Sequence, residues 1–279
     1  MIRRIAKLLP DKLYLSLVYY KHFKQFPNFR NPETFNEKLQ WLKLYDRREE
    51  FTTMVDKYAV KQYIAERIGE KHIIPLIGVW DCFEEIDFEK LPNQFVLKCT
   101  HDSHGVIICE DKKKLDIKQA RDKITSCIKR NFFYYGREWP YKNVKPRIIA
   151  EKYMGSNLSD YKVLCFEGEP WIIEVHQDRG TEKYTQSFYD VSWEKSFITQ
   201  GKGAELVPKP ITLDLMLKYS KILSKGIHHI RVDWYEVDGQ LYFGELTLFD
   251  GSGFVPFDKK AYDVYLGSLI NIPTKKKGC

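Results

Sequence analysis

The sequence predicts an α+β fold built from antiparallel hairpins and intervening helices. Two observations carry that expectation. Apolar strand-like runs come in pairs joined by turn residues, at 95–109, around Glu167–Gly168–Glu169–Pro170, and around Val237–Asp238–Gly239. Helical periodicities at 33–68, 116–131 and 212–226 separate them. Hairpins alternating with helices argue against a doubly wound parallel sheet.

The elements follow in order. Ile2, Ile5, Leu8 and Leu9 make one face of a first short helix, and Leu13, Leu17, Val18 and Tyr20 begin the next. The basic, apolar start looks like a secretion signal, but Pro10, Asp11 and Lys12 break the run and no small-residue cleavage site follows. Thr34, with Glu37 three residues on, reads as a capping box before Phe35, Leu39, Trp41, Leu42, Leu44 and Tyr45. A second helix is expected from Phe51 to Arg67, ending at Gly69. Strands are expected at Ile73–Val79, Phe95–Lys98, Val106–Cys109 and, after Pro146, Arg147–Tyr153. A Gly155–Ser156–Asn157 turn follows, then Asp160–Phe166 and Trp171–His176. A helix closes at Gly226, and His229–Glu236 and Gln240–Thr247 flank a turn-forming Asp-Gly pair.

Length and composition narrow the function classes. A chain of 279 residues with 43% hydrophobic and 30% charged residues can bury a real core. No apolar run approaches the roughly eighteen residues of a membrane span. The six cysteines form no CxxC pair or zinc-ligand spacing, which fits free thiols in a reducing cytosol. The net charge of +7 favours an anionic ligand. Nucleic acid is not expected, because the charge is spread and lacks basic-aromatic interleaving. The closing KKKG reads as a solvated tail.

The segment HHIRVDWYEVDGQLYFGELTLFDGSG concentrates the chemistry. Arg231 and Asp233 are two apart on one strand and so share a face, as do Glu245 and Thr247 on its partner. Such a surface suits magnesium, which takes a few hard oxygen ligands and leaves positions for phosphate and water. It suits equally a sheet face carrying cross-strand ion pairs. The Asp250–Gly251–Ser252–Gly253 turn can present N–H groups to an anion or be a plain loop. Lys98 ends the apolar strand FVLK just before the turn CTHDSHG, a placement suited to nucleotide phosphates. His101 and His104 read as polar loop residues rather than metal ligands. There is no GxxxxGK[ST] loop, no GxGxxG after a strand and no HRD-type catalytic loop, so ATP would need another cradle.

Taken together and in order, several segments resemble the TupA-like ATP-grasp family of bacterial polysaccharide and teichuronopeptide biosynthesis. They are PETFNEKLQWLKLYDRREEF at 32–51, DKYAVKQYI at 56–64, LPNQFVLKCTHDSHGVIICEDK at 91–112, EWPYKNVKPRIIAEKYM at 138–154, DYKVLCFEGEP at 160–170 and RVDWYEVDGQLYFGELTLFDGSGF at 231–254. The resemblance implies an ATP-grasp fold, two α+β lobes with antiparallel sheets clasping ATP, preceded by a helical N-terminal segment. The expected domains are 1–70 helical, 71–155 the small lobe and 156–279 the large lobe with the metal-binding hairpin.

The resemblance also implies roles. Lys57 and Lys98 would contact ATP phosphates, with the 101–105 loop, including His101 and Ser103, folding over them. Glu151 would accept from the adenine amino group, the backbone at Tyr153 or Met154 would pair with the ring edge, and Asp160 would bind ribose. Asp233, Glu245 and Thr247 would hold two Mg2+ ions, while Arg231 and Lys98 would be catalytic. Thr247 stands where many ATP-grasp enzymes have Asn, and Asp102–Ser103–His104–Gly105 is less glycine-rich than usual for the family.

The implied activity is an ADP-forming carboxylate–amine ligase working through an acyl phosphate. Its implied partners are a uronic-acid sugar nucleotide or acidic polysaccharide and an amine, amino acid or amino alcohol. Lys162, His176, Arg179 and Lys183 can read an anionic sugar or be solvated surface. The alternative is a glycosyltransferase of surface polysaccharide biosynthesis. No DxD motif is present to support it; Glu85–Ile86–Asp87 comes nearest. The expected location is cytoplasmic, with a peripheral contact at the inner membrane face or a biosynthetic complex open through the N-terminal helices. Their own core is the favoured resting place for those helices, since Phe35–Tyr45 offers an apolar face to cover.

Overall fold

The computed structural model describes residues 7–156, 158–204 and 206–273. Ile2 and Ile5 of the first expected helix, Asn157 of the turn, and the KKKG tail with Cys279 lie outside them. Two compact units emerge, one spanning 48–156 and the other combining the N-terminal stretch to Arg47 with the chain after Ser156. The N-terminal helices are therefore shared out, those before Arg47 going to the larger unit and the next pair to the smaller.

In the larger unit, α1 (Asp11–Phe23) leads to α2 (Phe35–Tyr45). Thr34 accepts from the Glu37 amide at 3.2 Å, and Glu37 accepts in return from the Thr34 amide, so the capping box forms as written. In the smaller unit the expected 51–67 helix is interrupted, giving α3 (Glu50–Val55) and α4 (Ala59–Ile68). The cause is Asp56, whose carboxylate accepts from the amides of Tyr58 and Ala59 at 2.9 and 3.3 Å. A short acidic side chain bonding ahead along the backbone offers the chain an alternative to continuing the helix.

The smaller unit's sheet contains β1 (Leu76–Trp80), β2 (Phe95–Cys99), β3 (Val106–Cys109) and β4 (Ile148–Lys152) in the order β1-β4-β2-β3. All of its pairings are antiparallel. Phe95, Leu97, Cys99, Ile148 and Ala150 pack with Ala120, Ile124 and Cys127 of α5 (Ile117–Ile128), which the short α6 (Phe133–Gly136) follows. Strand alternation sends Val96, Lys98, Ile149 and Glu151 to the opposite face.

The larger unit's sheet contains β5 (Asp160–Phe166), β6 (Glu169–Gln177), β7 (Thr185–Asp190), β8 (His229–Val237) and β9 (Gln240–Thr247), in the order β7-β6-β5-β8-β9. It too is antiparallel throughout its named pairs. The turns at Glu167–Gly168 and Asp238–Gly239 each place two successive residues at positive φ, 50° and 84°, then 52° and 73°. That is the backbone of a type I′ turn, whose twist matches its strands. No comparable turn precedes β7, and hairpin reasoning from sequence misses it. One face of the sheet packs against α7 (Leu213–Ser224), with Trp234 donating to Ser220 Oγ at 2.9 Å. A further helix, α8 (Lys260–Ser268), packs on α2.

The other face carries His229, buried between the rings of Phe35 and Phe166. Its Nδ1 donates to the Cys165 carbonyl at 3.0 Å, while Nε2 has no partner. Burial pushes its pKa down to about 4 from the ordinary 6.5. Below pH 6.5 the unfolded chain takes up a proton that the folded chain refuses until about pH 4. Stability is therefore expected to fall by about 3 kcal/mol across that window from this residue. Urea unfolding at successive pH values should show this slope, and His229→Phe should flatten it.

Candidate active site

The polar face of the larger unit's sheet is assembled by register. Asp160 lies opposite His176 and Tyr235, and Lys162 lies opposite Glu174 and Asp233. Leu164 is opposite Arg231, which is opposite Thr247. Glu245 joins this row only because the β8–β9 ladder is irregular. From the turn, Trp234 pairs with Phe243, yet Val232 pairs with Leu246, so β9 holds one extra residue opposite Asp233. In an unbroken ladder Glu245 would stand opposite Val232, on the α7 face. The bulge lets Phe243 and Leu246 both point into the core while Glu245 and Thr247 stay beside Arg231 and Asp233. Gly244 occupies this bulge. A Cβ there would lie 3.1 Å from both the Asp233 carbonyl oxygen and the Tyr235 ring.

Arg231 sits at the centre of the cluster. Its Nε and Nη2 donate to the two Asp233 oxygens at 2.7 and 2.8 Å, and Nη1 donates to Asp250. Nη2 also reaches Thr247 Oγ1 at 3.2 Å and Glu245 Oε1 at 3.4 Å. Burial alone would lower the Arg231 pKa; Asp233 and Asp250 overcome that and hold it well above the usual value. Burial likewise pushes the Asp250 carboxyl up, but Arg231 and His229 bring it below the usual carboxylate range. Lys162 bridges Asp160 Oδ2 at 2.8 Å and Asp233 Oδ2. Arg179 approaches Asp160 Oδ2 at 3.4 Å, and Asp160 Oδ1 is buried without a partner.

Beside this cluster runs a chain of hydrogen bonds. Tyr184 donates to His176 Nδ1 at 2.8 Å, and His176 Nε2 donates to Glu174 Oε1, which also accepts from Gln186 at 2.6 Å. The His176 tautomer follows from that network. Both its ring nitrogens are thus engaged within the protein, while Tyr184 is half-buried. Lys183 is on the surface.

In the smaller unit, Glu151 on β4 is clamped between two lysines. Lys98 Nζ lies 2.6 Å from Oε2, and Lys61 Nζ, from α4, pairs with Oε1. Burial would raise the Glu151 pKa, but Lys98 and Lys61 hold it below the usual range. Lys61 is itself lowered, because burial outweighs the attraction of Glu151. Lys57 follows the break after α3, and its amide donates to the Thr100 carbonyl at 3.0 Å, which ties the Asp56–Lys57 pair to the start of the 101–105 loop. Asp56 is also paired with Arg147 at 2.8 Å.

The loop is anchored from inside. His101 is buried with Nε2 on the carbonyls of Cys127 and Arg130, and Asp102 accepts from the His104 amide. Ser103 and His104 are exposed. Tyr153 and Met154 follow β4 beyond its last ladder pair, Phe95 with Lys152. Tyr153 donates to Glu110 at 2.6 Å and borders an open cavity of about 1200 Å³ along β3 and α5.

Sequence reasoning misses Lys61, Asp250 as an ion-pair partner, and the Glu174–Tyr184 chain. Only Lys61 had a local signal, standing one helical turn after Lys57. Among the described residues no three His, Cys, Asp or Glu side chains converge to cage a metal ion. The donor set still fits magnesium, which is commonly held by one or two carboxylates and substrate phosphates rather than a full protein cage. Five carboxylates (Asp160, Glu174, Asp233, Glu245, Asp250) stand against the cations Lys162, Arg179 and Arg231, leaving negative charge for added cations to neutralise.

A family model described as TupA-like ATPgrasp matches residues 37–271. No curated protein sequence matches the chain. Among solved structures, D-alanine–D-alanine ligase from Helicobacter pylori is similar at a TM-score of 0.52 and 14% identity, over 85% of this chain and 69% of that one. L-amino acid ligase from Bacillus licheniformis gives 0.49 and 14%, over 88% and 56%. D-alanine–D-alanine ligase from Bacillus anthracis complexed with ATP gives 0.40 and 19%, over 70% and 54%. The chain thus spans 69% of the first of these proteins and little more than half of the other two. The first likeness shows that the two chains share a fold.

Proposed function

This chain belongs to the TupA-like ATP-grasp family, and on that premise we propose that it is an ADP-forming carboxylate–amine ligase. A substrate carboxylate attacks the γ-phosphorus of ATP, releasing ADP and forming an acyl phosphate. An amine then attacks the acyl carbon, phosphate leaves, and an amide results. The carboxylate is a uronic acid of a sugar nucleotide or surface polysaccharide, and the amine an amino acid or amino alcohol. The observation that carries this reading is the excess of carboxylates around Arg231, to which the β9 bulge adds Glu245.

Each group has a task within that proposal. Asp233 and Glu245, with Thr247 beside them, hold two magnesium ions. When bound, the metal supplies charge neutralisation at the phosphoryl oxygens. Arg231 fixes the carboxylates and steadies the acyl phosphate. Lys57, Lys98 and the newly recognised Lys61 bind phosphates, with Ser103 and His101 contributing as exposed edge and buried anchor of the covering loop. Tyr153 and Met154 meet adenine through their backbone. The unpartnered Asp160 Oδ1 is suited to accept from a ribose hydroxyl. The Tyr184–His176–Glu174 chain is a path by which the attacking amine can lose its proton.

The test is a panel of uronic acid nucleotides crossed with amines and amino acids, with and without ATP and magnesium, read by mass spectrometry. ADP and an amide are expected only when all components are present. Consumption of a sugar nucleotide without ATP would identify a glycosyltransferase instead. With the active pair in hand, Tyr184→Phe is expected to slow amide formation about 100-fold. It should spare trapping of the acyl phosphate by hydroxylamine, whose nitrogen is unprotonated near neutral pH.

A further inference from the structure

The outward side of α1 is left unexplained by the ligase reading. Its inward side is well accounted for: Leu15 and Tyr19 are fully buried with Phe254, and Tyr14, Val18, Phe23, Phe29 and Leu44 pack around them. Tyr19 OH also meets Thr34 Oγ1 at 3.4 Å. Leu13, Leu17 and Tyr20 recur at intervals of four and three residues, so they form one stripe along the helix, opposite Leu15 and Tyr19. They remain 46%, 47% and 46% exposed. The Tyr20 ring stacks on Phe26 at 4.8 Å, which extends the stripe beyond the helix end, and Phe26 is exposed as well.

Charge says what this stripe meets. Residues 7–30 carry Lys7, Lys12, Lys21, Lys24 and Arg30 against a single acidic residue, Asp11. Asp11 is itself paired with Arg47 at 2.9 Å. At 100° per residue, Lys12 and Lys21 fall on the two flanks of the Leu13–Leu17–Tyr20 stripe. Lys24 caps the helix end, with its Nζ donating to the Lys21 carbonyl at 3.1 Å. An apolar ridge bordered by lysines, with Tyr at its edge, is the pattern of a helix lying in the plane of an anionic bilayer surface. The leucines enter the acyl boundary, the lysines meet lipid phosphates, and the tyrosine sits at the headgroup level. No helix among the described residues is long and apolar enough to cross a membrane, so this contact would be peripheral.

We propose that the outward face of α1, with Phe26, docks this protein on an anionic lipid surface. The contact does not involve the ligase cluster, so it stands or falls separately from the assigned reaction. The test is flotation of the full chain with vesicles of phosphatidylglycerol and phosphatidylcholine, against vesicles of phosphatidylcholine alone. Binding is expected to the anionic vesicles, weakening as salt rises. The double substitution Leu13→Glu and Leu17→Glu should reduce binding about tenfold or more, because it replaces the inserting residues and adds negative charge. Both side chains are exposed, so the thermal unfolding midpoint should stay near that of the parent, and this is measured alongside. Lys12→Gln with Lys21→Gln gives a second arm that leaves the apolar stripe intact, and it should weaken anionic binding alone. No flotation of the parent chain, or flotation unchanged in both variants, would overturn the proposal. Self-association abolished by the leucine substitutions, without vesicle binding, would assign the face to a second copy and overturn it equally.

Discussion

Glu245→Gln is expected to lower magnesium-dependent ADP formation about 1000-fold while changing stability by no more than about 1 kcal/mol. The asymmetry follows from its position. Glu245 has a side chain 38% exposed and lies 3.4 Å from Arg231, so water screens that contact and its neutralisation costs little. In the proposed reaction its charge and its second oxygen would serve a bound cation, and the amide supplies neither in full. Asp233→Asn should lose activity to the same extent but unfold more easily. Asp233 is 2% exposed and carries both Arg231 and Lys162, so its neutralisation leaves two buried cations undercompensated. Breaking one partner of such a buried network costs about 3–5 kcal/mol. Chemical denaturation and ADP release measured on both variants separate the two roles. Full activity in Glu245→Gln would remove the metal assignment.

Glu151→Gln is expected to destabilise the smaller unit by about 3 kcal/mol, since Lys61 and Lys98 would then be left facing each other without their shared counter-charge. The same variant decides how Glu151 serves the nucleotide. If the lysines bind ATP phosphates, the triphosphate replaces the lost carboxylate charge, and ATP should raise the variant's unfolding midpoint more than the parent's. If Glu151 instead reads the adenine amino group, the ATP-induced shift should shrink or vanish. Thermal unfolding with and without ATP, at fixed magnesium, distinguishes the two. The family resemblance implies the adenine contact; the geometry, with both carboxylate oxygens on lysines, favours the first outcome.

Much of the fold was legible because its signals are local. Thr34 and Glu37 are three residues apart and complete a capping box within one helical turn. Glu167–Gly168 and Asp238–Gly239 adopt paired positive φ angles that few other residue pairs tolerate. The break between α3 and α4 was not legible, although Asp56 causes it locally, because the alternating apolar pattern runs straight through to Arg67. β7 was missed for want of a turn signal, since its pairing with β6 is supplied by tertiary contact.

The cluster around Arg231 divides along the same line. Alternation along β8 alone places Arg231 and Asp233 on one face, and alternation along β9 alone does the same for Glu245 and Thr247. Whether those two faces coincide is a matter of register between strands, and a regular ladder from the Asp238–Gly239 turn would have set them apart. The tertiary structure decided it, because only a bulge at Gly244 allows Phe243 and Leu246 to reach the core together. Lys61 and Glu151, ninety residues apart in the chain, meet for a similar reason: burial of the β4 face forces the carboxylate to find cations there. The sequence by itself determined which chemistry-bearing side chains are present and which way each points along its own strand or helix. Their convergence depended on packing between elements, where hydrophobic burial selects the register.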